Sequence, residues 1–321
     1  MKAIWREILL SVVMAVILPG ILLNWPVEEE ETPRETEFRP KESQQTANRV
    51  RLTMKLRHAD GTVQEMDMDE YLVGVVVAEM PSTFEPEAKK AQAVAARTFA
   101  RKAFVTGGKH GDGSVCVESG CCQAYLTNNE YLALGGSEQA LEEARRAVEA
   151  TSGYVLTYEG QLIEATYFSC SGGSTEDAVA VWGTDFPYLR AVDSPGEEYA
   201  VHHTDTVCFT KEELEAKLGV TLSGSWLGTI TYTAGGGVDT MSIGGKSFTG
   251  KDLRSLLGLR STAITVNTAG EEILITTKGF GHRVGLSQYG ADAMAASGSS
   301  WQEILNYYYQ GTTLELTNGA A

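Results

Sequence analysis

Basic charge is in short supply. Only 26 Lys and Arg stand against 42 Asp and Glu, leaving a formal net charge of −16 in 321 residues. Such a chain is no general binder of nucleic acid, whose affinity comes from neutralised phosphates, and it does not adhere to anionic lipid through a basic surface. Cysteine and histidine are scarce too, with five of each. That excludes a disulfide scaffold at this size and leaves enough for one metal site. No repeat of roughly 20–50 residues recurs, which excludes solenoids and propellers. What is present is ordinary globular usage, 43% hydrophobic and 21% charged, so wholesale disorder is excluded. The 34 glycines announce many tight turns and close backbone approaches. The length suits one large domain or two modest ones.

The first residues read as separate from the fold. Residues 8–27 carry no charge, a span long enough to cross a bilayer as a helix. Lys2 and Arg6 precede it and Glu28 to Glu31 follow, which predicts a single-pass anchor (1–27) with the rest of the chain outside the cell membrane. A cleaved signal peptide is the competing reading, although no clean small-x-small site lies near Asn24 or Trp25. Residues 28–49, charged and Pro-containing, read as a flexible linker.

From residue 50 to about 318 the pattern is globular. Residues 50–58 alternate apolar and polar, Asp60-Gly61 turns the chain, and 62–66 returns as a hairpin. Asp67 or Asp69 caps a helix over 70–79 that Pro81 ends. A second helix starts near Pro86 and carries Ala88, Ala91, Ala95 and Phe99 at helical spacing; a third begins at Ser137 and stops before Gly153. Strands are expected over 154–156 and 162–169, and again over 272–276. The stretch 210–266 reads as a small β-rich subdomain containing one helix capped by Thr249. Helices near 287–296 and 301–309 close the chain. With no regular βαβ rhythm, the fold class is mixed α+β rather than doubly wound.

One glutamate is misplaced for a surface residue. Glu79 follows Leu72 by seven positions and Val75 and Val76 by four and three, so it projects from the apolar face near the helix end. Desolvation there raises a carboxyl pKa, which is what a general acid needs. The bland alternatives are a frayed last turn, or a structural pair with Arg97.

The string Glu70-Tyr71-Leu72, Val76-Val77-Ala78-Glu79-Met80-Pro81 and Lys90-Ala91-Gln92-Ala93-Val94-Ala95-Ala96-Arg97-Thr98 resembles the stage II sporulation protein D family. So do Phe168-Ser169-Cys170-Ser171-Gly172-Gly173, Trp182-Gly183, Tyr188-Leu189, and the run from Gly279 through His282 to Ala291. The resemblance implies a membrane-anchored peptidoglycan lytic transglycosylase of sporulation and engulfment. Its implied substrate is glycan strands stripped of stem peptides, and its implied partners are a sporulation cell-wall amidase and a membrane partner. It implies that Glu79 is catalytic and that Arg97 belongs to the same cleft. Where the family usually has Gly, this chain has Arg283.

One carboxylate suffices for that chemistry, because the 6-hydroxyl of the muramoyl sugar is an intramolecular nucleophile. Tyr167, Ser169, Ser171 and Gly172 are expected to line the cleft, as are His282, Ser287 and Gln288 on a Gly-rich loop opening a helix. A buried structural histidine is the alternative for His282. Ser attack with His282 as base lacks a G-x-S-x-G elbow. Among Tyr307 to Tyr309, some rings stack on sugars and others belong to the core.

His110, Cys116, Cys121 and Cys122 lie within 13 residues on a loop with three glycines. That donor set suits a tetrahedral structural zinc, with a disulfide of Cys116 to Cys121 or Cys122 as the alternative. Family members often read His-Cys-Gln where this chain reads Cys121-Cys122-Gln123. Two other functional classes remain at this point: a non-catalytic glycan-binding scaffold and a zinc-dependent wall amidase.

Overall fold

Residues 52–269 and 272–317 are described by a computed structural model. The alternating stretch around Asp60-Gly61 folds back on itself. β1 (Thr53–Arg57) pairs antiparallel with β2 (Val63–Asp67), with Leu56 opposite Gln64. The Asp67 carboxylate then accepts from the N–H groups of Asp69 and Glu70 and starts α1 (Met68–Glu79). Met80 is extended, as a residue ahead of proline is pushed to be, and the helix stops. α2 (Pro86–Thr106) begins on its proline and ends at Gly107 with φ 89°. β3 (Ser114–Cys116) joins β1 in parallel, giving the order β2-β1-β3.

Next come α3 (Asn128–Ala133) and α4 (Glu138–Ala150), the latter capped by Ser137, then β4 (Tyr154–Tyr158) and β5 (Gln161–Leu162). β6 (Tyr167–Phe168), β7 (Gly173–Ser174), α5 (Ala178–Trp182) and β8 (Asp193–Ser194) are short. β9 (Thr204–Thr210), α6 (Lys211–Leu218), β10 (Leu227–Tyr232), β11 (Val238–Ile243), β12 (Lys246–Thr249) and α7 (Gly250–Leu257) follow. The chain closes with β13 (Ala263–Ala269), β14 (Glu272–Lys278), β15 (Leu286–Ser287), α8 (Gln288–Ala296), α9 (Trp301–Tyr308) and β16 (Thr313–Leu316).

α2 is the hub, packed against α1, α4, α8, α9 and β4. Ala88, Ala91 and Ala95 face one core with Leu156, Leu286, Ile304 and Tyr308, while Ala93, Ala96 and Ala100 face a second with Leu56, Leu72 and Val76. Small residues on both faces let two layers approach one helix, which is why α2 shows no single apolar stripe. A third core, running from Phe209 to Ile275, is shared by the sheets β10-β11-β12 and β13-β14-β9.

The mixed α+β class therefore stands for the described residues, and the transmembrane helix expected with it is not among them. No helix among the described residues is long and apolar enough to cross a membrane. The longest, α2, has 21 residues but carries Lys89, Lys90, Arg97, Arg101 and Lys102. The anchor and linker expected over 1–49 lie outside the described residues. β9 and β14, which flank the stretch 210–266, pair with each other across more than sixty residues. The single strand expected over 162–169 is two elements: β5 pairs with β4, whereas β6 pairs in parallel with β15.

Candidate active site

Glu79 is the last residue of α1, on the face that buries Leu72, Val75 and Val76. Its side chain stays partly open to solvent, and three neutral donors close around the carboxylate. Oε1 accepts the backbone N–H of Ala124 at 2.7 Å, Oε2 accepts Nε2 of Gln288 at 3.3 Å, and the Tyr167 hydroxyl makes a third bond. Burial pushes the carboxyl above its ordinary range; the three hydrogen bonds favour the ionised form and only moderate the rise. None of the bonded groups is a second carboxylate.

Each donor is itself held. The Tyr71 hydroxyl donates to Gln123 Oε1 at 2.7 Å, and Gln123 Nε2 donates to the Tyr167 oxygen at 2.8 Å. The Tyr167 proton is thereby directed at Glu79. Ser287 caps α8 by accepting from Gly290 N–H at 3.3 Å, which sets the first-turn Gln288 toward Glu79; Gln288 Nε2 also lies 3.5 Å from Gln92 Oε1. The Ala124 strap reaches α1 only because position 74 is glycine. A Cβ there would sit 2.4 Å from the Tyr125 ring and 2.5 Å from the Leu126 carbonyl oxygen. Tyr71, Gln92, Gln123 and the Ala124 N–H were not singled out by sequence reasoning. Their only signal was a polar residue at a helix position that alanines otherwise fill, or one adjoining the cysteine pair.

Several expected cleft residues face elsewhere. Arg97 is fully buried, and its Nη atoms donate to the carbonyls of Thr151 (2.7 Å) and Val148 (3.2 Å) and to Asp69 Oδ1 (3.1 Å). It ties the end of α4 to the start of α1 and does not line the site. Ser171 and Gly172 wrap a buried carboxylate instead of a sugar: Glu197 accepts Ser171 N–H at 2.6 Å, its Oγ at 2.9 Å and Gly172 N–H at 3.2 Å. Gly172, at φ 73°, passes so close to Gly279 that a Cβ would lie 2.6 Å from its nitrogen. Ser169 uses its carbonyl to accept Tyr289 N–H at 3.0 Å.

His282 takes the structural alternative. Nδ1 accepts Val284 N–H at 3.1 Å, its other edge bonds the Tyr167 carbonyl, and the ring sits between Phe168 and Trp182. Burial and the nearby Arg254 pull its pKa down to about 4, so it is neutral near pH 7. Arg283 keeps a glycine-like φ of 63°. Its guanidinium offsets that strain by donating to Ser171, Ser174 and Gly235 carbonyls and to Glu176 Oε1 at 3.1 Å. Of the three adjacent tyrosines, Tyr308 and Tyr309 are core and Tyr307 is partly exposed.

Next to the strap lies a cluster that could hold a metal. The donor atoms of His110, Cys116, Cys121 and Cys122 all fall within 4.8 Å of one another. His110 Nε2 is 3.6 Å from Cys122 Sγ and 3.9 Å from Cys121 Sγ, and the two sulfurs are 3.9 Å apart. A tetrahedral zinc with the usual bond lengths has ligand-to-ligand edges of about 3.6–3.8 Å, so the donor set fits. The three cysteines are free thiols, and the disulfide alternative is not formed. Cys122 precedes Gln123 and Ala124 directly, so the cluster anchors the segment that grips Glu79.

A family profile described as Stage II sporulation protein matches residues 57–158, the stretch that includes α1, α2 and the strap. Stage II sporulation protein D of Bacillus subtilis (strain 168) is 43% identical over 264 residues, covering 80% of this chain and 77% of that protein. Its counterpart in Bacillus amyloliquefaciens is 42% identical over the same length. An amidase enhancer of Bacillus subtilis (strain 168) is 30% identical over 302 residues, 76% of this chain and 40% of that protein.

Proposed function

Because the chain belongs to the stage II sporulation protein D family, we propose that it is a sporulation lytic transglycosylase that cuts the glycan strands of peptidoglycan outside the cytoplasm. The observation that carries this reading is Glu79: one carboxyl, raised by burial, ringed by neutral donors and hydrogen-bonded to no second carboxylate among the described residues. A hydrolase needs a second carboxylate to activate water or attack the sugar. An intramolecular nucleophile removes that need.

In the proposed reaction protonated Glu79 gives its proton to the bridging oxygen as the C1–O bond breaks. The 6-hydroxyl of the same muramoyl ring attacks C1, and the Glu79 carboxylate takes up the hydroxyl proton. The products are a free 4-hydroxyl on one fragment and a 1,6-anhydromuramoyl end on the other, and Glu79 is protonated again. Ala124 N–H, Gln288 and Tyr167 hold the carboxylate through both states.

Zinc is the metal we assign to His110, Cys116, Cys121 and Cys122. Four protein donors fill a tetrahedral ion, so its role is to fix the strap rather than to activate water, and an amidase mechanism loses its open position. The substrate reading extends to strands already stripped by a wall amidase, and the relative named an amidase enhancer fits a protein that works beside one. Mass spectrometry of stripped glycan digested by the protein tests the proposal. Anhydromuramoyl ends are expected; reducing ends bearing ¹⁸O from labelled water would overturn it.

A further inference from the structure

Among the described residues, Gln92 carries a donor that nothing accepts. It lies in the second turn of α2, fully buried, between the alanines that serve the two cores. Its Oε1 faces Gln288 Nε2 at 3.5 Å, yet its own Nε2 has no hydrogen-bond partner. A buried N–H left unmade costs more than a typical bond contributes. The neighbouring Gln123 offers no help, because its amide already serves Tyr71, Tyr167 and the Ala96 carbonyl. The orphan is one residue away from the acid. Gln288 Nε2 stands between Gln92 Oε1 and Glu79 Oε2, which it meets at 3.3 Å.

That row suits the ionised acid. An amide nitrogen has two hydrogens and an amide oxygen two lone pairs, so Gln288 Nε2 gives one hydrogen to each neighbour. Protonated Glu79 needs the reverse, an acceptor for its own O–H. The Ala124 N–H can only donate, and the Tyr167 oxygen already takes Gln123 Nε2 at 2.8 Å. A half-turn of the Gln288 amide presents its oxygen instead. The two lone pairs then accept Glu79 O–H and, once Gln92 has turned as well, Gln92 Nε2. The orphan is satisfied, and the end left over is a carbonyl oxygen, the lesser cost of the two.

Burial and hydrogen bonds act on Glu79, with no charged group among its causes. Tyr71 on α1 and Tyr167 on β6 face it, and burial holds both phenols well above their ordinary range and so neutral. On α2, Arg97 turns to α4 and Asp69. On α8, Asp292 is committed to the Glu85 N–H and the Tyr199 hydroxyl, each at 2.6 Å. The strap offers Glu79 a backbone N–H, while the sulfurs of Cys121 and Cys122 turn to His110.

We propose that Gln92 is a positioning residue for the acid: it and Gln288 turn their amides together as Glu79 gains or loses its proton, and the pair favours the protonated form that opens the reaction. The inference rests on the acid role proposed for Glu79 above. As the proton passes to the bridging oxygen, both amides turn back and Gln288 donates to the carboxylate left behind. Only hydrogen bonds change in the turn. A residue that merely held Gln288 in place as a donor would do the opposite and favour the carboxylate.

Carboxyl ¹³C and side-chain amide ¹⁵N NMR of the full chain across pH tests this without substrate, with the Glu79 signal assigned by its loss in Glu79→Gln. The Gln92 amide should shift at the Glu79 midpoint in the parent and stay still there in Glu79→Gln. Gln92→Met keeps the length and removes both amide ends. It should raise the ionisation constant of Glu79 about tenfold, the scale of one unmade buried donor, and so move the midpoint to lower pH. The alkaline limb of the pH–rate profile on stripped glycan should move the same way. In a Gln288→Met background the substitution should add nothing. The proposal is overturned by a Gln92 amide that stays still in the parent, by a midpoint that rises or holds in Gln92→Met, or by an equal shift in the Gln288→Met background. If the titrations behave as expected but stripped glycan stays uncut, the amide pair stands and the function proposed above falls. Cutting by a protein whose Gln92 is silent removes only this inference.

Discussion

The backbone N–H of Ala124 donates to Glu79 Oε1 at 2.7 Å, linking the end of α1 to a strap 45 residues further on. The strap begins at two of the four clustered metal-type donors, Cys121 and Cys122. Folding stability and the positioning of one carboxyl therefore meet in a few residues.

Replacing Glu79 by Gln keeps shape and removes both the proton and the charge. The variant should fold and bind stripped glycan, yet release anhydromuramoyl products at least on the order of 10² more slowly. Exposed Glu85, at the cap of α2, should tolerate the same change. Near-normal turnover by Glu79→Gln would remove the residue from the mechanism.

The acid must be protonated to act first, so turnover should fall as pH rises through the Glu79 pKa, which burial sets above the ordinary carboxylate value. Tyr167 favours the ionised form by hydrogen bonding to it. Tyr167→Phe should therefore raise the Glu79 pKa further and move the alkaline limb of the pH–rate profile to higher pH. A limb that stays put or moves down would show that another group sets it.

The metal prediction is one zinc per chain by elemental analysis of protein purified without added metal. Cys122→Ala should lower the zinc content and the thermal midpoint together, since one of four donors is gone. Full stability with no bound metal would leave the cluster as plain thiols.

Arg97→Ala is expected to act on the fold. It strips Asp69 and the carbonyls of Val148 and Thr151 of a buried donor, a loss of about 3 kcal/mol in urea unfolding. Binding per folded molecule should change little. A stable variant with weakened glycan binding would return Arg97 to the cleft.

What the sequence by itself determined is local. Asp60-Gly61 turned the hairpin, Asp67, Ser137, Thr249 and Ser287 capped their helices, and Pro86 began α2. Spacing alone put Glu79 on the apolar face of α1. Each of these rules acts within about one helical turn or one tight turn, so neighbours in sequence suffice. Tertiary structure decided which way long or polar side chains face. Arg97 met carbonyls more than fifty residues away, Ser171 and Gly172 closed on Glu197, and Gln288 reached Glu79 across 209 positions. It also split the stretch 162–169, because β6 found its partner in β15. A buried polar group must pair with whatever the packed layers bring to it, and no spacing rule within a segment carries that information.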